Sequence, residues 1–218
     1  MKNIPISLLA LLLSMCSGRS QGFVNLNFES AQIIFNGYLL SVNDAFPGWT
    51  VTAPYITYDS PSLSGNSISI FDTKPPLNAP PIQGAYYAFL ASGNTPGLGQ
   101  TISLSQTGTI PVGAQSITFW GNIGGLQITF AGQSLAFSET GSTANYNIYA
   151  ADISTIAGQT GQLLFSLPPY VSSATLDNIQ FSSSSIPEPS VFGLLASGGL
   201  FFGLRCFRSP RNLPMRTQ

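Results

Sequence analysis

Ile117-Thr118-Phe119-Trp120-Gly121-Asn122-Ile123-Gly124-Gly125-Leu126-Gln127-Ile128-Thr129-Phe130 decides how the chain is read. Ile117 and Phe119 stand two apart, Gly124-Gly125 breaks the run, and Leu126, Ile128 and Phe130 resume the same spacing. Side chains alternate between the two faces of a strand, whereas a helix returns an apolar residue every three or four positions. The stretch therefore predicts two short strands joined by a turn. The pattern continues in both directions. Val24, Leu26 and Phe28 share a face, as do Ile68 and Ile70, Tyr87 and Phe89, and Ile102 and Leu104. Beyond Phe130 come Leu135 with Phe137, Tyr146 with Ile148, Leu163 with Phe165, and Ile179 with Phe181. Gly, Pro, Asn or Ser bounds each run, as turns require. No part of residues 22–186 sustains a helical period; Asp152 to Ala157 can make one helical turn with Asp152 as its cap.

So many short strands in one domain close best as an all-β, antiparallel two-sheet sandwich, of which the jelly roll is a common form. The segment from Asp72 to Gly84 carries Pro75, Pro76, Pro80 and Pro81. Proline has no N–H for a ladder, so this segment is expected as a rim loop.

Composition then narrows the function. The chain has 218 residues, no histidine and only 7% charged residues, against about 25% in ordinary soluble domains. From Gly22 to Ile186 seven acids face one base, Lys74. Nucleic-acid affinity depends on basic side chains that release condensed counterions, so nucleic acid is excluded as a partner. The two cysteines, Cys16 and Cys206, lie in the terminal segments. The body therefore has no disulfide framework, thiolate nucleophile or cysteine metal site. Without histidine or cysteine the usual general bases and nucleophiles are absent, and the expected protein is not an enzyme. Paired carboxylates leave a glycoside-acting enzyme as the remaining catalytic alternative.

Sugar recognition uses aromatic faces flanked by hydrogen-bonding groups, and Trp49, Tyr55, Tyr58, Tyr86 and Trp120 supply the rings. Trp49 and Tyr87 are expected to fill the core. Tyr86 and Trp120 are the candidate ligand-binding residues, because each is opposite in parity to its strand's apolar partners, Tyr87 with Phe89 and Ile117 with Phe119.

Asn25-Leu26-Asn27-Phe28-Glu29, then Phe46-Pro47-Gly48-Trp49-Thr50-Val51, and finally Leu176-Asp177-Asn178-Ile179-Gln180-Phe181 follow one another along the body. This order resembles the secreted jelly-roll domains related to carbohydrate-binding modules and galactose-binding-like folds. The resemblance implies a structural calcium held by acids of the first and last strands, here Glu29 and Asp177. Asp177 shares parity with Ile179 and Phe181, which would point it inward, where a carboxylate needs a cation or several donors. The alternative is that Asp177 caps a turn and Glu29 is solvated. Glu29 has the parity of Asn27 rather than Phe28, so turning it inward requires a bulge.

Lys2, the apolar run Ile4 to Leu13 and the small-residue stretch ending at Gly22 read as a signal peptide over residues 1–22, with its helix removed on export. Met15 before Cys16 argues against lipidation. At the other end Ser182-Ser183-Ser184-Ser185 opens a linker over 182–186 that leads from the sandwich, 23–181, to Pro187-Glu188-Pro189. The apolar stretch Val191 to Leu204 follows, then Arg205, Arg208 and Arg211. These three parts in order resemble the PEP-CTERM sorting signal of Gram-negative bacteria with exopolysaccharide systems. The resemblance implies that an exosortase-type enzyme recognises Pro187, Glu188 and Pro189. It also implies that the apolar stretch is a transient transmembrane helix and the three arginines a cytoplasmic stop. The stretch gives about 21 Å of helix, short of a hydrocarbon core of about 30 Å, and snorkelling arginines close part of the gap. Residues 187–211 form this segment and 212–218 a disordered tail.

The sequence thus predicts an exported surface or extracellular-matrix protein, anchored briefly in the inner membrane, with a structural or adhesive role. Its partners would be the export machinery, the sorting enzyme and the membrane, with extracellular polysaccharide added if the body is a secreted carbohydrate-binding module.

Overall fold

The computed structural model describes residues 22–34, 39–59, 66–72, 82–93, 99–170 and 173–186. The chain divides into two units, Met1–Ser185 and Ile186–Gln218. The signal segment, Lys74 with its proline-rich neighbours, Pro187-Glu188-Pro189, the apolar stretch and the arginines lie outside the described residues. Among the described residues no helix is long and apolar enough to cross a membrane.

The described body is an all-β two-sheet sandwich. A short helix, α1 (Val42–Ala45), opens it, capped by Ser41, whose Oγ accepts from the Asp44 N–H at 3.1 Å. The strands are β1 (Thr50–Thr52), β2 (Tyr55–Tyr58), β3 (Ser67–Asp72), β4 (Tyr86–Ala91), β5 (Ile102–Thr109) and β6 (Ser116–Gly121). They continue as β7 (Gln127–Phe130), β8 (Gln133–Ser134), β9 (Phe137–Ser142), β10 (Asn147–Asp152), β11 (Thr160–Leu167) and β12 (Ser173–Ser182). One sheet orders β1-β5-β11-β7-β8 and the other β2-β3-β4-β12-β6-β10-β9. Ile117 and Phe119 fall on β6, Ile128 and Phe130 on β7, as their alternation requires. The single helical turn is present as a 3-10 turn at Ser154–Ile156, but its N-cap is Ile153 rather than Asp152, which ends β10 and accepts at Oδ1 from the Ser154 N–H at 2.8 Å.

Between the sheets Trp49 stacks on Phe28, with centroids 5.5 Å apart, and reaches Phe165 of β11 at 6.3 Å. Phe165 in turn meets Phe119 of β6 edge-on at 5.9 Å. This chain of rings ties one sheet to the other, each contact adding about 0.5–1.5 kcal/mol beyond burial. A second apolar cluster, Phe71, Ile82 and Tyr87 with Phe89, Trp120 and Tyr146 against it, lies apart from the first.

Four further expectations are corrected. Residues 24–28 are not a strand: Asn25 (φ 49) and Phe28 (φ 57) turn the chain, and the Gln106 side chain takes the place of a neighbouring strand. Val24 N–H donates to Gln106 Oε1 at 3.0 Å, and Gln106 Nε2 donates to Val24 O at 2.7 Å. The turn at Phe28, rather than a bulge in a strand, redirects Glu29. Next, β2 and β3 run parallel, since alternation specifies a strand's faces and not its direction. Third, Asp177 is buried, but on the other side of the sheet from the main core. A bulge between Asp177 and Gln180, with Asn178 at φ 46, breaks its parity with Ile179, so Leu176 and Ile179 enter the main core and Asp177 pairs with Trp120. Finally, Tyr86 and Tyr87 exchange places: Tyr86 packs half-buried on the main core while Tyr87 joins the outer cluster.

Candidate functional site

The outer face of the seven-stranded sheet collects the polar and aromatic groups of interest. Phe71 pairs with Tyr87 across β3 and β4, their rings stacked at 5.4 Å. On β12 the next outward side chain is Asp177, directly opposite Trp120 of β6. Trp120 then stacks on Tyr146, with centroids 5.1 Å apart and planes only 11° from parallel. Tyr146 is held by the turn into β10, where its N–H donates to Thr143 Oγ1 at 3.1 Å and its carbonyl accepts from the Thr143 N–H at 2.8 Å. Both rings are half-buried, so solvent still reaches them. An amide stands at the rim next to Tyr146, where Asn122 Nδ2 donates to Asn145 O at 3.1 Å, whereas Asn147 is on the other face, its Nδ2 donating to Tyr149 Oη at 3.1 Å.

Residues 82–86 bring Glu29 and Asp177 to one segment. Glu29 Oε1 accepts from the N–H groups of Ala85 and Tyr86 at 2.8 and 3.0 Å. Asp177 Oδ2 accepts from Gln83 N–H at 2.9 Å, and its Oδ1 from Asn178 N–H at 2.6 Å. Gly84 makes this approach possible. It sits at φ 62, and a Cβ there would collide with the Glu29 carboxylate. Asp177 is 0% exposed. Burial pushes its pKa up to about 8, the nearby Glu29 charge adds to the rise, and the Asn178 and Gln83 N–H groups oppose it.

A cation fits this chemistry. Calcium takes six to eight oxygens and no nitrogen, and the segment offers two carboxylates together with Gln83 Oε1, a buried oxygen with no hydrogen-bond partner. Among the described residues no group of three or more His, Cys, Asp and Glu gathers, so amide and carbonyl oxygens would have to complete the shell.

A second acidic pair, not singled out in the sequence, follows from the parallel pairing of β2 with β3. Tyr58 Oη donates to Asp72 Oδ2 at 2.7 Å, and Asp72 N–H donates to Asp59 Oδ1 at 2.9 Å. Burial, and then the Asp72 carboxylate, raise the pKa of Asp59. Burial also lifts Tyr58 above the ordinary tyrosine range, as does its bond to Asp72. Tyr87 is pushed up to about 12 by burial and by Asp59.

No family model and no curated protein matches the chain. Among solved structures it is similar to the carbohydrate-binding module TmCBM61 in complex with β-1,4-galactotriose, at 16% identity and TM-score 0.39, over 75% of this chain and 99% of that one. It is also similar to the enzymatically active domain of tailspike protein 4 of bacteriophage CBA120, at 13% identity and TM-score 0.39, over 66% of this chain and 21% of that one. A third is the K2 cleaved adhesin domain of Lys-gingipain, at 14% identity and TM-score 0.41, over 72% and 95% of the two chains. The sandwich itself rests on the sheet topology above.

Proposed function

We propose that the chain is an exported surface protein whose sandwich adheres to glycan through the Trp120–Tyr146 pair. The observation that carries this reading is the parallel stack of the two rings, outside the main core, open to solvent and rimmed by amides. A pyranose packs its C–H face on such a ring while amides exchange hydrogen bonds with its hydroxyls. Trp120 is retained from the sequence candidates. Tyr86 is replaced by Tyr146, because the Tyr86 ring packs on the main core.

Delivery would follow the plan read from the sequence. Residues 1–22 direct export, 23–181 are the cargo and 182–186 a spacer. Pro187, Glu188 and Pro189 are recognised by an exosortase-type enzyme while Val191 to Leu204 and Arg205, Arg208 and Arg211 hold the chain in the inner membrane. Residues 212–218 form the tail. Glu29, Asp177 and Gln83 would hold a structural calcium, which when bound supplies the positive charge that a buried carboxylate lacks. The jelly-roll, carbohydrate-binding-like reading of the body belongs to the same proposal, and the body acts by binding rather than by catalysis.

Retention of the full chain on immobilised polysaccharides tests adhesion. Wild type should be held by at least one polymer, and Trp120→Ala should elute with the void. Equal retention of both proteins would defeat the proposal. A structural matrix role with no small ligand is the second reading. It is favoured by the outer face of the five-stranded sheet, where Thr50, Ser105, Leu164, Thr129 and Ser134 line up without a charge to keep neighbours apart.

A further inference from the structure

We infer that the Trp120–Tyr146 surface selects uncharged glycans and rejects polyanionic ones, an inference that rests on the glycan-binding reading and adds the ligand class to it. Proteins that take carboxylated or sulfated sugars meet each anion with a guanidinium or ammonium, because an anion stripped of water needs a charged donor. Here there is none. Between Gly22 and Ile186 the sequence has seven acids and one base, Lys74, and among the described residues there is no lysine or arginine at all.

The groups beside the rings are of the opposite kind. Asn122 and Asn145 are neutral amides, each able to donate and to accept. Asp177 is the cross-strand neighbour of Trp120, and its carboxyl group is fully buried. An anionic sugar laid on the stack would find no guanidinium or ammonium among the described residues to offset its charge. A neutral pyranose requires only the ring faces and the amides. The field of the whole body acts the same way at longer range, slowing the approach of a polyanion and leaving a neutral chain unaffected.

The test uses matched polymers and the full chain. Neutral dextran, β-glucan and β-galactan, each beside its sulfated derivative, are titrated by calorimetry at about 20 mM and about 500 mM NaCl, where screening is weak and strong respectively. Trp120→Ala and Tyr146→Ala are run in parallel, with Trp120→Phe as a variant that keeps an aromatic ring if alanine disturbs folding. The expected result is that a neutral polymer binds with an affinity unchanged by salt. Its sulfated form binds at least about tenfold more weakly at low salt, and the gap narrows as salt rises. A sulfated polymer that binds as tightly as its neutral parent, and loses that binding in Trp120→Ala, overturns the selectivity while leaving glycan binding intact. Binding of neither class overturns both.

Discussion

Asp177 of β12 stands directly across from Trp120 of β6, so a carboxylate with no solvent exposure is the strand neighbour of the ring proposed to meet the ligand. The two are linked through one sheet register. Whatever fixes the charge of Asp177 also fixes the local packing under the aromatic stack.

The first consequence is a pH dependence. Asp177 holds its proton more tightly when folded, with a pKa near 8, than when unfolded, near 3.9. In chelator, stability should therefore be unaffected by this group below about pH 4 and fall as the pH rises from about 4 to about 8, by at most about 1.4 kcal/mol per unit. Asp177→Asn should flatten that slope. It should also lower stability by about 1–3 kcal/mol, because the amide sets an NH2 against one of the two N–H donors. Urea melts across this range check both.

Calcium should reverse the slope. A cation bound only by the folded state raises the melting temperature with its concentration. Thermal melts of wild type with excess calcium and with chelator should differ, and the difference should vanish in the Glu29→Gln, Asp177→Asn double variant. Coincident wild-type melts would remove the calcium proposal and leave the pH dependence standing.

Gly84→Ala probes the geometry of residues 82–86 rather than their charge. At φ 62, with the Glu29 carboxylate where a Cβ would go, alanine adds both backbone strain and a collision, for about 1–3 kcal/mol of lost stability. A melt indistinguishable from wild type would show that Glu29 does not lie under these residues.

Tryptophan emission separates the two rings. Trp49 is 4% exposed in the main core and stacked on Phe28, whereas Trp120 is half-buried on the outer face. Phe165→Ala should cost about 3–5 kcal/mol, by opening a cavity beside Trp49, without moving glycan affinity. A bound glycan should shift the emission of Trp120 in a Trp49→Phe background and leave Trp120→Phe silent.

How far these features could be read in advance depends on their range. Ile117, Phe119 and Trp120 sort correctly because strand alternation is local and β6 is regular. Tyr86 and Tyr87 do not, because β4 is apolar on both faces and alternation gives parity without saying which face meets the main core. For Asp177 the burial was legible and the side was not, since a bulge at Asn178 resets the alternation. Val24 looked like strand because nothing near it announces that Gln106 will pair with its backbone. The Trp120–Tyr146 stack and the Asp59–Asp72 contact depend on strand register, which two-residue periodicity leaves open.

Adhesion, selectivity and the role of calcium all presuppose that the sandwich reaches the outside of the cell as trimmed cargo. Mass spectrometry of the chain recovered from the cell surface measures this directly. Delivery predicts a mature N-terminus between Ser20 and Phe23 and a C-terminus at or close to Pro187-Glu188-Pro189. A chain found only inside the cell, running uncut from Met1 to Gln218, would contradict it.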